Sequence, residues 1–424
     1  MKIKFFFILL VFSNVTFGQK TSPFICGHDH VMSINTLNFP DYRNRVDKTF
    51  QIAYKNMENA GDRNETFKIP VVVHIVWKNN EENLHDSLIH SQIKVLNDAF
   101  RLRNENRTDI REIFKDLQAD AEIEFELKDV IRVKTTANFS LSLTDLPDDV
   151  KRPANGGSSA IDVERHLNIW VCKIQPIPFI GGQILGYAYP PDGLSNWPDD
   201  ASAPSKNLEG VVIDYRVFGL NNPNKLTVNG TTHQSSARTT VHEVGHYLGL
   251  RHIWGDGGGL FGGNSCNVDD GITDTPNQGT QSAGGCNKNS NTCIDASNDL
   301  PDMVENYMDY SGEDCQNTFT KEQVALMRSV LRNQRKLLTN TQQDLEITGV
   351  KIWPNPCHTH INIALNDSKP TEVAIRTLDG KLVLNYKIQG TDVISCEGLS
   401  NGAYILELGN DKMHKVVKLI KVHD

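Results

Sequence analysis

Residues 241–254 read Val241-His242-Glu243-Val244-Gly245-His246-Tyr247-Leu248-Gly249-Leu250-Arg251-His252-Ile253-Trp254. His242 and His246 stand four apart and therefore project from one face of a helix, as two ligands of a single ion must. Glu243, beside the first histidine, can reach a water on that ion without ligating the ion itself. Gly249 can take the positive φ that ends a helix, after which the chain turns to bring His252 in as a third ligand. Three imidazoles around zinc leave one position for water, whose pKa falls to about 7. The competing reading, a set of ordinary surface and core histidines, requires five specified positions to coincide by chance.

Downstream stands Asn306-Tyr307-Met308-Asp309-Tyr310-Ser311, in the place where a methionine turn follows long zinc motifs. Met308 reads as an apolar floor beneath the histidines. Tyr310 carries a phenol able to hydrogen-bond a developing oxyanion. Around these segments, apolar runs predict strands over Val71–Trp77, Ala121–Leu127, Leu167–Lys173 and Val211–Ile213. Leu88–Asn104 reads as a helix, and Thr320-Lys321-Glu322-Gln323 as a capping box opening another that runs to about Leu338. The fold class is α+β.

On these residues the chain resembles the pappalysin (cytophagalysin) family of metzincin peptidases, particularly its secreted bacterial members. Asp274-Thr275-Pro276, Asp314-Cys315, Phe319-Thr320 and Gln323 add to the match, as do Pro70–Val76 and Gln92–Asn97 upstream. The resemblance implies a twisted mixed sheet with helices over an irregular C-terminal half. It implies zinc on His242, His246 and His252, Glu243 as general base, and Tyr310 steadying the transition state of peptide-bond hydrolysis in proteins. It also implies that Asp314 forms the floor of the first primed-side pocket, giving a preference for arginine or lysine there.

The chain has eight cysteines. Cys266, Cys286, Cys293 and Cys315 cluster near the motif and allow three connectivities, of which the resemblance favours Cys266–Cys293 and Cys286–Cys315. Cys172 sits in an apolar strand and reads as a buried thiol, while Cys357 and Cys396 are a possible pair. Cys26, in Ile25-Cys26-Gly27-His28-Asp29-His30, has no nearby partner in sequence. A thiolate is a good zinc ligand and glycine lets the chain pass close to the metal. The family precedent is a cysteine switch holding a latent form; His28 and His30 compete for the same role, and Arg63, lying before Phe67-Lys68-Ile69-Pro70, offers a bond that a peptidase favouring arginine on the primed side could cut in maturation. Asp256, Asp269, Asp270 and Asp274 lie in a glycine-rich loop and are candidate calcium ligands, against the alternative of solvated loop acids.

The ends of the chain address it outward. A basic start followed by the apolar run Phe5–Phe12 reads as a signal peptide over residues 1–19; the run is too short to span a membrane. After residue 344 short alternating runs appear, with Asp379-Gly380 as a hairpin signal, and predict a small β-sandwich over 345–424. Trp353-Pro354-Asn355-Pro356 and Leu399–Tyr404 resemble a type IX secretion sorting domain, which implies a Bacteroidota-type source, passage through the periplasm and a partner in the secretion machinery. Between the ends lie a prosegment, 20–63, and the catalytic domain, 64–342. The formal charge of −9 gives no basic field for nucleic acid. The rival reading is a zinc-containing surface adhesion protein of reduced activity; the intact Glu243 and Tyr310 argue against it.

Overall fold

The computed structural model describes residues 24–28, 40–57, 65–141, 147–177, 182–191, 203–255, 266–267, 269–297, 299–339, 350–365, 369–410 and 413–422. The chain forms two compact units, Met1–Thr339 and Asn340–Asp424. The signal-peptide reading, Arg63, His30 and Asp256 lie outside the described residues.

The first unit is built on strands β1 (Phe24–Cys26), β2 (Phe67–Trp77), β3 (Ile123–Lys134), β4 (Leu167–Cys172), β5 (Gln183–Ala188) and β6 (Val211–Asp214), with helices α1 (Tyr42–Met57) and α2 (Asp86–Phe100) between them. A short hairpin, β7 (Thr227–Val228) and β8 (Thr231–Thr232), precedes helices α3 (Thr239–Tyr247) and α4 (Lys321–Arg332). The six long strands form one sheet in the order β1-β5-β6-β4-β2-β3. β5 runs antiparallel to β6, and every other pairing is parallel. β4, β5 and β6 are buried along their whole length, and β4 and β6 accordingly read as largely apolar runs, with Asn168 and Asp214 as their buried polar residues. β5, whose run Gln183-Ile184-Leu185-Gly186-Tyr187-Ala188 includes a glutamine and a glycine, escapes such a reading.

Two helix boundaries differ from expectation. The second helix spans Asp86–Phe100, because Leu102 turns to a positive φ. The capping-box helix carries both expected reciprocal bonds, Thr320 to Gln323 and back, but ends at Arg332 with Asn333 as its cap; a separate short turn follows at Lys336–Leu338. The sequence reading also missed α1. Its Tyr42, Val46 and Phe50 recur every four residues and form a buried apolar stripe.

The second unit is all β. Strands β9 (Val350–Trp353), β10 (His360–Leu365) and β13 (Thr391–Ser395) make one antiparallel sheet, and β11 (Thr371–Thr377), β12 (Leu382–Ile388), β14 (Gly402–Asn410) and β15 (Met413–Lys421) the other. Asp379-Gly380 turns the chain between β11 and β12, with Gly380 at φ 87°. Ile361, Ile363, Val373, Ile375, Leu406 and Leu408 alternate into a common core. Cys357 and Cys396 lie in that core without a disulfide; burial first, and the neighbouring Cys357 thiol second, push the Cys396 thiol up to about 12. Cys172 is a buried thiol in β4.

Candidate metal centre and cleft

All nine residues of α3 are buried. A helix this short does not persist alone in water, and three contacts hold it. At its N-terminus Arg238 provides no side-chain cap. Instead the Glu313 carboxylate accepts bonds from the backbone nitrogens of Ser236, Arg238 and Thr239 and from the Thr239 hydroxyl at 2.5–3.1 Å. Beneath its middle, a Cβ on Gly245 would lie 2.5 Å from the Met308 sulfur, so only glycine admits this floor. At its end Gly249 takes φ 97°, and the chain turns back toward the helix.

That turn brings His252 to His242 and His246, and β1 adds Cys26; all four are buried, with one potential ligand atom from each within 4.8 Å of the others. The Nε2 atoms of the three histidines are 3.1–3.3 Å apart. His242 Nδ1 faces the Tyr307 carbonyl at 2.7 Å and His246 Nδ1 the Leu250 carbonyl at 2.9 Å. Carbonyls only accept, so both Nδ1 atoms carry the proton and both Nε2 atoms present lone pairs to the cluster. Converging lone pairs repel unless a cation lies among them. Nitrogens 2.0–2.1 Å from a tetrahedral zinc ion would stand about 3.4 Å apart, so the donor set fits zinc. Burial, with the neighbouring imidazoles, holds His246 well below its ordinary pKa and therefore neutral, as a ligand must be. His252 is stacked on Trp254 at 4.3 Å.

Glu243 is fully buried and its carboxyl oxygens make no hydrogen bond of ordinary geometry. Burial pushes it up to about 8, moderated by the adjacent Cys26 thiol and by His252. A glycine at 186 gives it room, since a Cβ there would lie 3.0 Å from the Glu243 Cγ. By contrast, His74 in β2 is a structural histidine: Ser158 and Asn168 occupy its two nitrogens, and burial lowers it to about 4.

The cleft beside this cluster encloses a cavity of 310 Å³ whose lining includes Leu185, His233, Glu243, Tyr310, Glu313 and Asp314. The N-terminal segment enters it. β1 pairs with β5 through Cys26 and Gly186, and the Gly27 nitrogen donates to the Gly186 carbonyl at 2.7 Å. Phe24 packs edge-on against His233, and His28 stacks on His246 at 4.1 Å. The Tyr310 hydroxyl accepts from the Cys26 nitrogen at 3.1 Å and donates to the Cys26 carbonyl at 3.3 Å.

Asp314 borders the cavity but is exposed, whereas its neighbour Glu313 is buried. Burial alone would raise Glu313; His233 and then Thr239 and the helix amides overcome this and hold it at about 2. No spacing rule singles Glu313 out, because its partners come from a helix start more than seventy residues away. Two disulfides, Cys266–Cys293 and Cys286–Cys315, tie the surrounding loops. Asp269, Asp270 and Asp274 are spent largely on local bonds: Asp269 accepts from Gly271, Asp270 from Ile272 and Thr275, and Asp274 from Glu322. Among the described residues these acids form no converging cluster.

A mixed sheet, a short helix with two histidines, a third histidine after a glycine turn and a methionine floor define a zinc metallopeptidase. Residues 193–332 match the family model described as pregnancy-associated plasma protein-A, a peptidase family, and 351–422 match the secretion system C-terminal sorting domain. An extracellular metalloprotease of Aspergillus oryzae is 29% identical over 262 residues, 59% of this chain and 71% of that one. One from Aspergillus fumigatus is 34% identical over 148 residues, 34% of this chain and 42% of that one. Among solved structures, mature mirolysin of Tannerella forsythia with a cleaved peptide is 36% identical, with TM-score 0.52, covering 66% of this chain and 98% of that one. A promirolysin mutant is 34% identical with TM-score 0.59, covering 76% and 98%. The chain belongs to the pappalysin family of metallopeptidases. It is a zinc metalloendopeptidase with a type IX sorting domain, secreted or held at the cell surface, and no helix among the described residues is long and apolar enough to cross a membrane.

Proposed function

We propose that the chain is made as a latent endopeptidase that hydrolyses proteins before arginine or lysine. The observation that carries this reading is Cys26, buried against three histidines whose lone pairs converge. His242, His246 and His252 would hold zinc. When bound, zinc supplies Lewis acidity toward the scissile carbonyl and lowers the pKa of water beside it. Glu243 takes the proton of the attacking water and returns it to the leaving amine. Tyr310 donates its hydroxyl to the developing oxyanion.

In the latent form Cys26 would offer its thiolate to the metal held by the three histidines, while its backbone engages the Tyr310 hydroxyl. The wider reach of the promirolysin match along this chain supports a folded prosegment. The segment order is then signal peptide 1–19, prosegment 20–63, catalytic domain 64–342 and sorting domain 345–424, exported through the periplasm. Asp314, at the cleft wall, would receive a basic primed-side residue, with Glu313 adding negative charge behind it. Profiling cleavage of a peptide library by the mature enzyme and by Asp314→Asn tests this: arginine and lysine dominate the first primed position for the parent and weaken for the variant. An unchanged profile would remove Asp314 from that role.

Calcium would fall at Asp274, whose buried Oδ1 has no hydrogen-bond partner, with Asp269 and Asp270 of the same turn leaving their present hydrogen bonds to converge on it. Adding calcium to chelated, zinc-restored enzyme should raise its melting temperature; no change would discard the site.

A further inference from the structure

The segment ahead of β2 makes two separate attachments to the first unit. Strand β1 covers the metal cluster. Helix α1 lies against a different face, built from α4, from Arg251 next to the third histidine, and from the Asp269–Gly271 turn. The apolar stripe Tyr42, Val46 and Phe50 is buried, and Ala53 joins the catalytic core. Polar contacts frame it. Arg251 Nη2 donates to Asp47 at 2.7 Å while its guanidinium lies 4.5 Å from the Phe50 ring centre. The Tyr54 hydroxyl donates to the Asp270 carbonyl at 2.8 Å, and its ring packs on Gly271, where a Cβ would lie 3.4 Å away. Ser329 Oγ donates to the Ala53 carbonyl at 3.3 Å.

None of these contacts involves the thiol or the chain between α1 and β2. Strand β1 is held by a three-residue pairing and by the contacts of Cys26 and His28, and a docked helix adds to that hold by keeping the strand at high effective concentration. A 16-residue helix is also marginal alone, so its order depends on this face. We propose that the face is a binding site for the chain's own α1 helix that outlasts cleavage between α1 and β2. The cut prosegment then stays on the enzyme as a noncovalent inhibitor, and activity starts when the helix leaves rather than when the bond breaks. This rests on the latency reading above and adds what retains the inhibitor.

The test uses the chain from residue 20 onward with a site for an exogenous sequence-specific protease replacing residues 58–64. Peptide hydrolysis and gel-filtration co-elution are measured before and immediately after complete cutting. The expected result is a silent uncut chain, and a cut chain that retains its N-terminal fragment at micromolar concentration with less than a tenth of the activity reached after dilution. The double variant Phe50→Ala/Tyr54→Phe, which leaves the catalytic chain identical, should lose the fragment and gain at least tenfold activity on cutting. Immediate full activity of the cut parent, with its fragment released, would overturn the proposal while leaving latency standing. Full activity of the uncut chain would overturn both. A second arm adds a 20–57 peptide to mature enzyme: inhibition at least tenfold weaker with Phe50→Ala supports the helix site, and equal inhibition contradicts it.

Discussion

Which nitrogen of each histidine carries the proton decides what the cluster can bind. His242 and His246 each spend Nδ1–H on a backbone carbonyl, Tyr307 and Leu250, so orientation and tautomer are set before any metal arrives. The Tyr307 carbonyl belongs to the segment that also supplies Met308 and Tyr310, which makes the methionine turn part of the ligand geometry as well as its floor. If Tyr310 donates to the oxyanion, Tyr310→Phe should lower kcat of the mature enzyme about 10²-fold and leave KM within about threefold; an unchanged kcat would exclude the role. The histidines, Glu243 and Met308 were legible because helical spacing and a following turn are local properties. Glu313 was not. Its partners lie at a helix start more than seventy residues earlier, so only the fold shows that Glu313 is buried while its neighbour Asp314 is exposed.

At the scale of elements, α3 is short and enclosed, and what keeps it helical lies outside it. Glu313 supplies the missing N-cap from a loop tied by Cys286–Cys315. Its folded pKa of about 2 is depressed from an ordinary 4.5, which corresponds to about 3 kcal/mol of stabilisation. A depressed carboxylate contributes fully above its unfolded pKa and loses that contribution as pH falls through the folded value. Glu313→Gln should therefore lower the melting temperature by several degrees at pH 7, and the gap from the parent should close between about pH 4.5 and pH 2. A gap that is constant with pH would mean that the side chain acts by shape rather than charge. The strands β2, β4 and β6 were readable as apolar runs. β1, β5 and α1 were not: β1 exists only by pairing with β5, β5 carries Gly186 where Glu243 needs room, and the first half of α1 shows only one apolar residue per turn.

At the scale of the molecule, the chain divides its work between a large catalytic unit and a small β unit that carries the sorting signal. The division was visible in sequence as a change from mixed to alternating patterning, because two-residue periodicity and an Asp-Gly turn are short-range signals. The helix ends at Phe100 and Arg332 and the unbonded Cys357 and Cys396 were not, since each depends on neighbours distant in sequence. Everything in the first unit converges on three histidines and one glutamate, and the account depends on their separate duties: the histidines bind, and Glu243 moves protons. The most direct test is metal content and peptide hydrolysis of mature Glu243→Ala beside the parent. The account predicts about one zinc per chain in both proteins and a 10²–10⁴-fold loss of kcat/KM in the variant. A zinc-loaded Glu243→Ala enzyme cleaving at the parental rate would contradict it.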